Sequence, residues 1–165
     1  ETERTRLIKQ MGSLTTEVMG KFDGRGDADK LVYTPIGGGA TYQQTRVYDL
    51  EYEGDAKDAE AFVRSTLVDS YAEDVHFTGS PAIGDYAFFI DYSMKPGALD
   101  LEKEAILESY RGARERSIEI ASLRITRRIY VFADGALSPD RFIRDICNSA
   151  IHVWSVTEAN DRNVA

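Results

Sequence analysis

The sequence predicts an α+β fold built from two tandem β-α-β-β-α-β units. Three observations carry this expectation: an internal repeat, a helix-and-strand pattern legible in its second copy, and apolar residues on both faces of the predicted strands. The repeat sets Thr45-Arg46-Val47-Tyr48 against Thr126-Arg127-Arg128-Ile129-Tyr130, roughly 80 positions on. Phe62-Val63-Arg64 answers Phe142-Ile143-Arg144, and Leu67-Val68-Asp69-Ser70 answers Ile146-Cys147-Asn148-Ser149. Val75-His76-Phe77 answers Ile151-His152-Val153, so four matches fall in one order.

The second copy spells out the unit. Residues 86–93 are β-prone, with Tyr86, Phe88, Ile90 and Tyr92 expected on one pleat face. Lys95-Pro96-Gly97 breaks the strand, and Asp100 is placed to cap a helix running to about Gly112. Two strands are expected over 118–123 and 125–132, with Asp134-Gly135 as the next turn. Ser138-Pro139 marks a helix start, and Phe142, Ile143, Ile146 and Cys147 form that helix's apolar stripe. Residues 150–156 close the copy, which is the order of a ferredoxin-like split unit.

The first copy reads less completely. A helix is expected over 3–12, a strand over 45–52, a helix capped by Asp55 and a closing strand over 74–77. Its opening strand is missing, and the chain begins at Glu1 rather than Met, which predicts residues upstream. The expected organisation is a first unit over 1–78 with an insertion at 13–44, a linker at 79–84, a second unit over 85–157 and a tail at 158–165. Phe89 opposes Phe88, and Tyr130 and Phe132 oppose Ile129 and Val131. Helices cover one face of such a sheet, so the other face predicts a partner. The sibling unit, packed face to face about a pseudo-two-fold axis, is the natural one.

Composition bounds the function. The 165 residues carry 20 Lys+Arg against 28 Asp+Glu, a formal net charge of −8, with 42% hydrophobic and 29% charged residues. Such a chain buries a core without staples. Its single cysteine excludes an internal disulfide framework and any multi-cysteine metal site. The acidic balance argues against sequence-independent nucleic-acid binding, and the 128–132 strand lacks the glycines of an RNA-binding strand. No apolar run approaches the roughly 20 residues of a membrane helix, and the expected location is the cytoplasm.

No phosphate-loop, dinucleotide, metalloprotease or nucleophile-elbow motif occurs, and no catalytic or metal-ligating set is expected. His76 and His152 occupy equivalent closing strands and read either as a pair of proton carriers or as repeat-encoded strand residues. Cys147 reads as a small buried hydrophobe. Gly37-Gly38-Gly39 could offer N–H groups to a phosphate, or be a loop tip. Arg111, Arg114, Arg116, Arg124, Arg127 and Arg128 crowd one stretch of chain, suited either to phosphate and carboxylate recognition or to a solvated face.

Lys95-Pro96-Gly97-Ala98-Leu99-Asp100 followed by Glu104-Ala105-Ile106 resembles the K-P-G-V-L-D-P-x-G-x-A-I stretch of PurS, the small subunit of phosphoribosylformylglycinamidine (FGAM) synthase. Cys147-Asn148-Ser149-Ala150-Ile151-His152 resembles that family's L-x-N-P-V-I-E ending, and Arg46 to Glu51 its middle strand. Leu101, Lys103, Ser70 and Ser149 depart from the family pattern. Two fused units look like the N-terminal region of the single-chain synthase. The resemblance implies a non-catalytic bridge between synthetase and glutaminase parts that helps enclose the ammonia path. No cofactor is expected in this chain, since ATP and Mg would sit on the synthetase. The expected docking residues are Lys95, Pro96, Gly97, Asp100, Arg124, Arg127 and Arg128. Self-association is a further expectation, and a metabolite-sensing module of the ACT type is the alternative.

Overall fold

The computed structural model describes residues 11–77 and 79–159. Alternating polar and apolar residues make strand β1 (Met11–Gly20) and the long β3 (Thr41–Glu53), between which lie a short strand β2 (Gly26–Asp27) and a 3₁₀ turn (Ala28–Leu31). Gly54, at φ 138°, turns the chain into helix α1 (Ala56–Phe62), whose start is capped by Asp55 Oδ1 accepting from the Lys57 N–H at 2.7 Å. A π turn (Val63–Leu67) continues the helix, and β4 (Glu73–His76) ends the first half. The second half runs β5 (Phe88–Met94), α2 (Leu101–Gly112), β6 (Glu119–Phe132), α3 (Asp140–Ile146) and β7 (His152–Glu158).

All the strands belong to one antiparallel seven-stranded sheet in the order β4-β1-β3-β6-β5-β7, with β2 paired to β3. The order reads alike from either edge, because β4-β1-β3 of the first half matches β7-β5-β6 of the second. The two halves meet where β3 pairs with β6, and Arg46 faces Arg127 near the middle of that ladder.

Every regular helix lies on one face. Tyr48, Leu50 and Tyr52 of β3 and Leu123 and Ile125 of β6 form a first core with Ala59, Val63 and Leu67. Ile106 and Leu107 of α2 lean on that same core. Phe88, Ile90, Ile129 and Val131 form a second core with Phe142 of α3 and with Ala28 and Val32 of the 21–40 segment. Each core therefore joins a helix of one half to the crossover segment of the other. Hydrogen bonds repeat this crossing: the Tyr33 N–H donates to Asp145 Oδ2 at 3.0 Å, and Arg141 Nη2 to the Thr34 carbonyl at 2.8 Å. Burying each such Leu, Ile or Phe stabilises the fold by roughly 1.5–3 kcal/mol.

The sequence expectations need four corrections. The first half does have an opening strand, β1, inside the segment read as an insertion; Ser13 to Gly20 belong to it and Thr41 to Gln44 to β3. The helix expected at 3–12 lies outside the described residues except for Met11 and Gly12, which are strand. The two strands expected over 118–132 are one strand, bent by a bulge at Ala121 where Glu51 and Tyr52 pair with Ser122 and Ile120. Each half thus holds three main strands, not four. Finally, the halves join edge to edge rather than face to face. The reason is chemical: the second face carries Glu17, Thr45, Asp91, Thr126 and Arg128, which a sibling sheet would strip of water.

A section of chain and a buried ion network cover that face instead. Glu17, with 2% of its side chain exposed, accepts from Arg128 Nη1 at 2.7 Å and the Ala82 N–H at 3.1 Å through Oε1. Through Oε2 it accepts from Thr45 Oγ1 at 2.8 Å and the Tyr130 hydroxyl at 2.6 Å. Arg128 also grips Asp91 with two bonds, Nε at 2.7 Å and Nη2 at 3.0 Å, and lies 4.4 Å from the Phe89 ring centre. Burial works against the guanidinium charge, but the Asp91 bonds outweigh it and hold Arg128 firmly protonated. Burial, reinforced by the bond to Glu17, raises the Tyr130 phenol far above its usual range. Ile83 and Tyr86 of the connection between halves close over Phe89, Tyr130 and Phe132.

Arg128→Ala leaves the Glu17 carboxylate buried beside no cation. The expected loss is about 3–5 kcal/mol of folding free energy, read as a lower urea midpoint. An unchanged midpoint would show that the network holds nothing together.

Candidate functional site

Lys95-Pro96-Gly97-Ala98 is a type II turn. Proline sits at its second position, Gly97 takes φ 85° at the third, and the Ala98 N–H donates to the Lys95 carbonyl at 3.0 Å. The Lys95 N–H donates to the Ile151 carbonyl at 2.8 Å, tying the turn to the approach to β7. Asp100 then caps α2, its Oδ1 accepting from the Lys103 N–H at 3.1 Å.

This turn roofs a split in the sheet. Pairing between β5 and β6 ends at Tyr92 and Arg127, yet β5 continues with β7 to Met94 and β6 continues with β3 to Glu53. The strands part, leaving a cleft of about 730 Å³ between Ser93-Met94 and Leu123 to Ile125, with the 95–100 turn and the start of α2 above it. Arg124 Nη2 crosses the split to Ser93 Oγ at 2.8 Å. A neighbouring pocket of about 370 Å³ lies among Tyr92, Leu99, Leu101, Glu102, Arg127 and His152. Leu99 and Leu101 on its rim are 66% and 72% exposed.

Six of the seven expected docking residues therefore gather here: Lys95, Pro96, Gly97, Asp100 and Arg124 around the cleft and Arg127 in the pocket beside it. Arg128 does not join them. It follows Arg127 on a strand, so its side chain goes to the opposite face, where two carboxylates hold it and 13% of it remains exposed. The same alternation divides the arginine-rich stretch, since Arg124 and Arg128 share one face and Arg127 takes the other.

On the helix-bearing face a polar chain runs between the two cores. Arg46 Nη2 donates to Glu73 Oε1 at 2.9 Å and to the Leu67 carbonyl at 3.0 Å, and Arg46 Nε donates to the Tyr48 hydroxyl at 2.7 Å. The Tyr48 hydroxyl reaches Glu102 Oε1 at 3.3 Å, and Glu102 Oε2 accepts from Arg127 at 3.2 Å. Arg46 beside Glu73 holds that carboxyl below its usual range, while burial raises the Tyr48 and Tyr92 phenols. Glu17, Glu73 and Glu102 carry no signal in the sequence, and Arg46 stands out there only as part of the repeat and of the middle strand, because their charged partners lie far along the chain and follow no local spacing.

The remaining candidates separate. His76 and His152 stand on opposite edges of the sheet, in β4 and β7, and form no joint site. His152 Nδ1 accepts from the Asn148 N–H at 2.9 Å, and its ring meets Tyr92 edge-on at 5.2 Å. Cys147 packs against the second core, where burial pushes its thiol up. Gly37, Gly38 and Gly39 all have positive φ, and the Ile36 and Gly37 N–H groups donate to Asp29 Oδ1 at 2.8 and 3.2 Å. A carboxylate of the chain itself already takes that part of the loop. Among the described residues, no three His, Cys, Asp or Glu side chains group as metal ligands, and no helix is long and apolar enough to cross a membrane.

Two outcomes are expected. Asp100→Ala removes the cap of α2 and lowers stability by about 1 kcal/mol, measurable as a shift in urea midpoint. Glu73 has a depressed folded-state pKa, so it adds stability above the unfolded carboxyl pKa that is lost as pH falls through the folded one. Wild type should therefore lose more stability than Glu73→Gln between about pH 5 and pH 3, and parallel pH–stability curves would refute the assignment. Comparison of the chain with family models, curated proteins and solved structures returns no match.

Proposed function

We propose that the chain is a non-catalytic bridging component of FGAM synthase, in the cytoplasm, that docks synthetase and glutaminase units and helps enclose ammonia transfer. ATP and Mg belong, in this reading, to the partner synthetase. One observation carries it: the Lys95–Asp100 stretch that resembles the PurS motif forms a hydrogen-bonded turn, exposed at Pro96, Gly97 and Leu99, beside Arg124 and Arg127. A fixed turn keeps its ordering entropy low on docking, and flanking guanidinium groups suit carboxylates on a partner surface. The two halves repeat one order, strand, crossover, strand, helix, strand, within one sheet, which gives the chain a pseudo-symmetric frame for two partners. The arginine–carboxylate groups on both faces serve support, holding distant strands to one another.

The tagged chain, used as bait in extract of its own cells, should recover a large ATP-dependent synthetase and a glutaminase. The Lys95→Ala/Arg124→Ala/Arg127→Ala variant should recover at least several-fold less of both. Arg128 stays intact in that variant, because removing it attacks the fold. Full recovery by the variant would refute the docking surface, and absence of both enzymes would refute the bridging role. An isolated chain stabilised by a small metabolite, with neither enzyme recovered, would move the assignment to the ACT-type sensor.

A further inference from the structure

The cleft between β5 and β6 shares Lys95 and Arg124 with the proposed docking surface, and its charge sets it apart from the rest of the chain. It gathers three cations, Lys95, Lys103 and Arg124, in a chain whose formal net charge is −8. Among the described residues none of the three forms an ion pair, although Arg46, Arg127, Arg128 and Arg144 all do. Lys95 and Lys103 are half-buried at its wall. Two carboxylates also line the space. Asp100 is engaged in capping α2, and Glu104 is exposed to solvent. Arg124 is held by Ser93 Oγ, so its guanidinium is positioned across the split while its other N–H groups stay available.

Three cations against two carboxylates leave a positive excess on a concave wall, where low-dielectric surroundings focus the field. A volume of about 730 Å³ lies within the range of small-molecule sites. The parted strands are what open it: continued pairing beyond Tyr92 and Arg127 would zip the cleft shut.

We infer that this cleft binds a small metabolite bearing a multiply charged oxyanion, a phosphate ester or a polycarboxylate, held by Lys95, Lys103 and Arg124. The site lies within this chain, and its test uses the purified chain without partner subunits, so its failure and that of the bridging reading are distinguishable.

The test is thermal unfolding of the purified 165-residue chain in sodium phosphate and in sodium citrate, each against sodium chloride of equal ionic strength. The expected result is a rise in Tm of about 5 °C or more in one or both oxyanions over the chloride control. A rise in phosphate alone identifies a phosphate ester, and a rise in citrate alone a polycarboxylate. The rise should vanish in Lys95→Gln/Lys103→Gln/Arg124→Gln and persist in Lys57→Gln/Arg114→Gln, which removes cations outside the cleft. Should the triple variant fail to fold, Lys103→Gln alone should weaken oxyanion binding at least fivefold by titration calorimetry. Equal Tm in oxyanion and chloride, or an undiminished effect in the cleft variants, overturns the inference.

Discussion

The pairing of β3 with β6 is the constraint on which the rest of the molecule depends. These are the two longest strands, and their ladder runs from Thr41 opposite Phe132 to Glu53 opposite Glu119. It fuses the halves into one sheet and removes the free edges that two separate three-stranded sheets would expose. It also places the start of β3 beside the end of β6, which brings the 21–40 segment onto α3 and brings α2 onto α1. Neither half has a complete core by itself, because each core is closed by an element of the other.

One buried carboxylate reinforces that junction. Glu17 comes from β1, yet its partners lie on β3, on β6 and on the connection between halves. A charge taken out of water is tolerated only when it is paired and fully hydrogen-bonded, and Glu17 has four donors. Its presence also determines how the second face is covered. A face with a buried ion network accepts a short polar-tolerant length of chain, while an apolar sibling sheet would leave those charges without water.

The cleft follows from the same geometry. β6 is committed to β3 along its whole length, and β5 is committed to β7 at its end, so the two part company beyond Tyr92 and Arg127. The hydrogen-bonded type II turn at Lys95–Ala98 and the capped start of α2 are set over that opening. In the first half the ladder between β1 and β3 likewise stops at Val18 and Arg46, and β1 continues with β4 to Gly20, but there β2 pairs with β3 at Thr41 and Tyr42.

Local features were legible in the sequence by itself. The caps at Asp55 and Asp100, the turn at Pro96-Gly97, the helix start at Ser138-Pro139 and the opposed faces of Phe88 and Phe89 all depend on neighbours within a few residues. So does the repeat, which survives in the matched order of strands from either edge. Clustering of Lys95, Pro96, Gly97 and Asp100 at one site was legible because they are contiguous. The tertiary structure alone decided how the halves join, that β1 opens the first half, and that Arg128 turns inward while Arg124 faces the cleft. Those outcomes rest on strand register and on partners such as Glu17 and Asp91, which lie far away in the chain. Periodicity assigns residues to faces of a strand, but only the neighbouring strand determines which face is buried and which charge meets its counter-ion there.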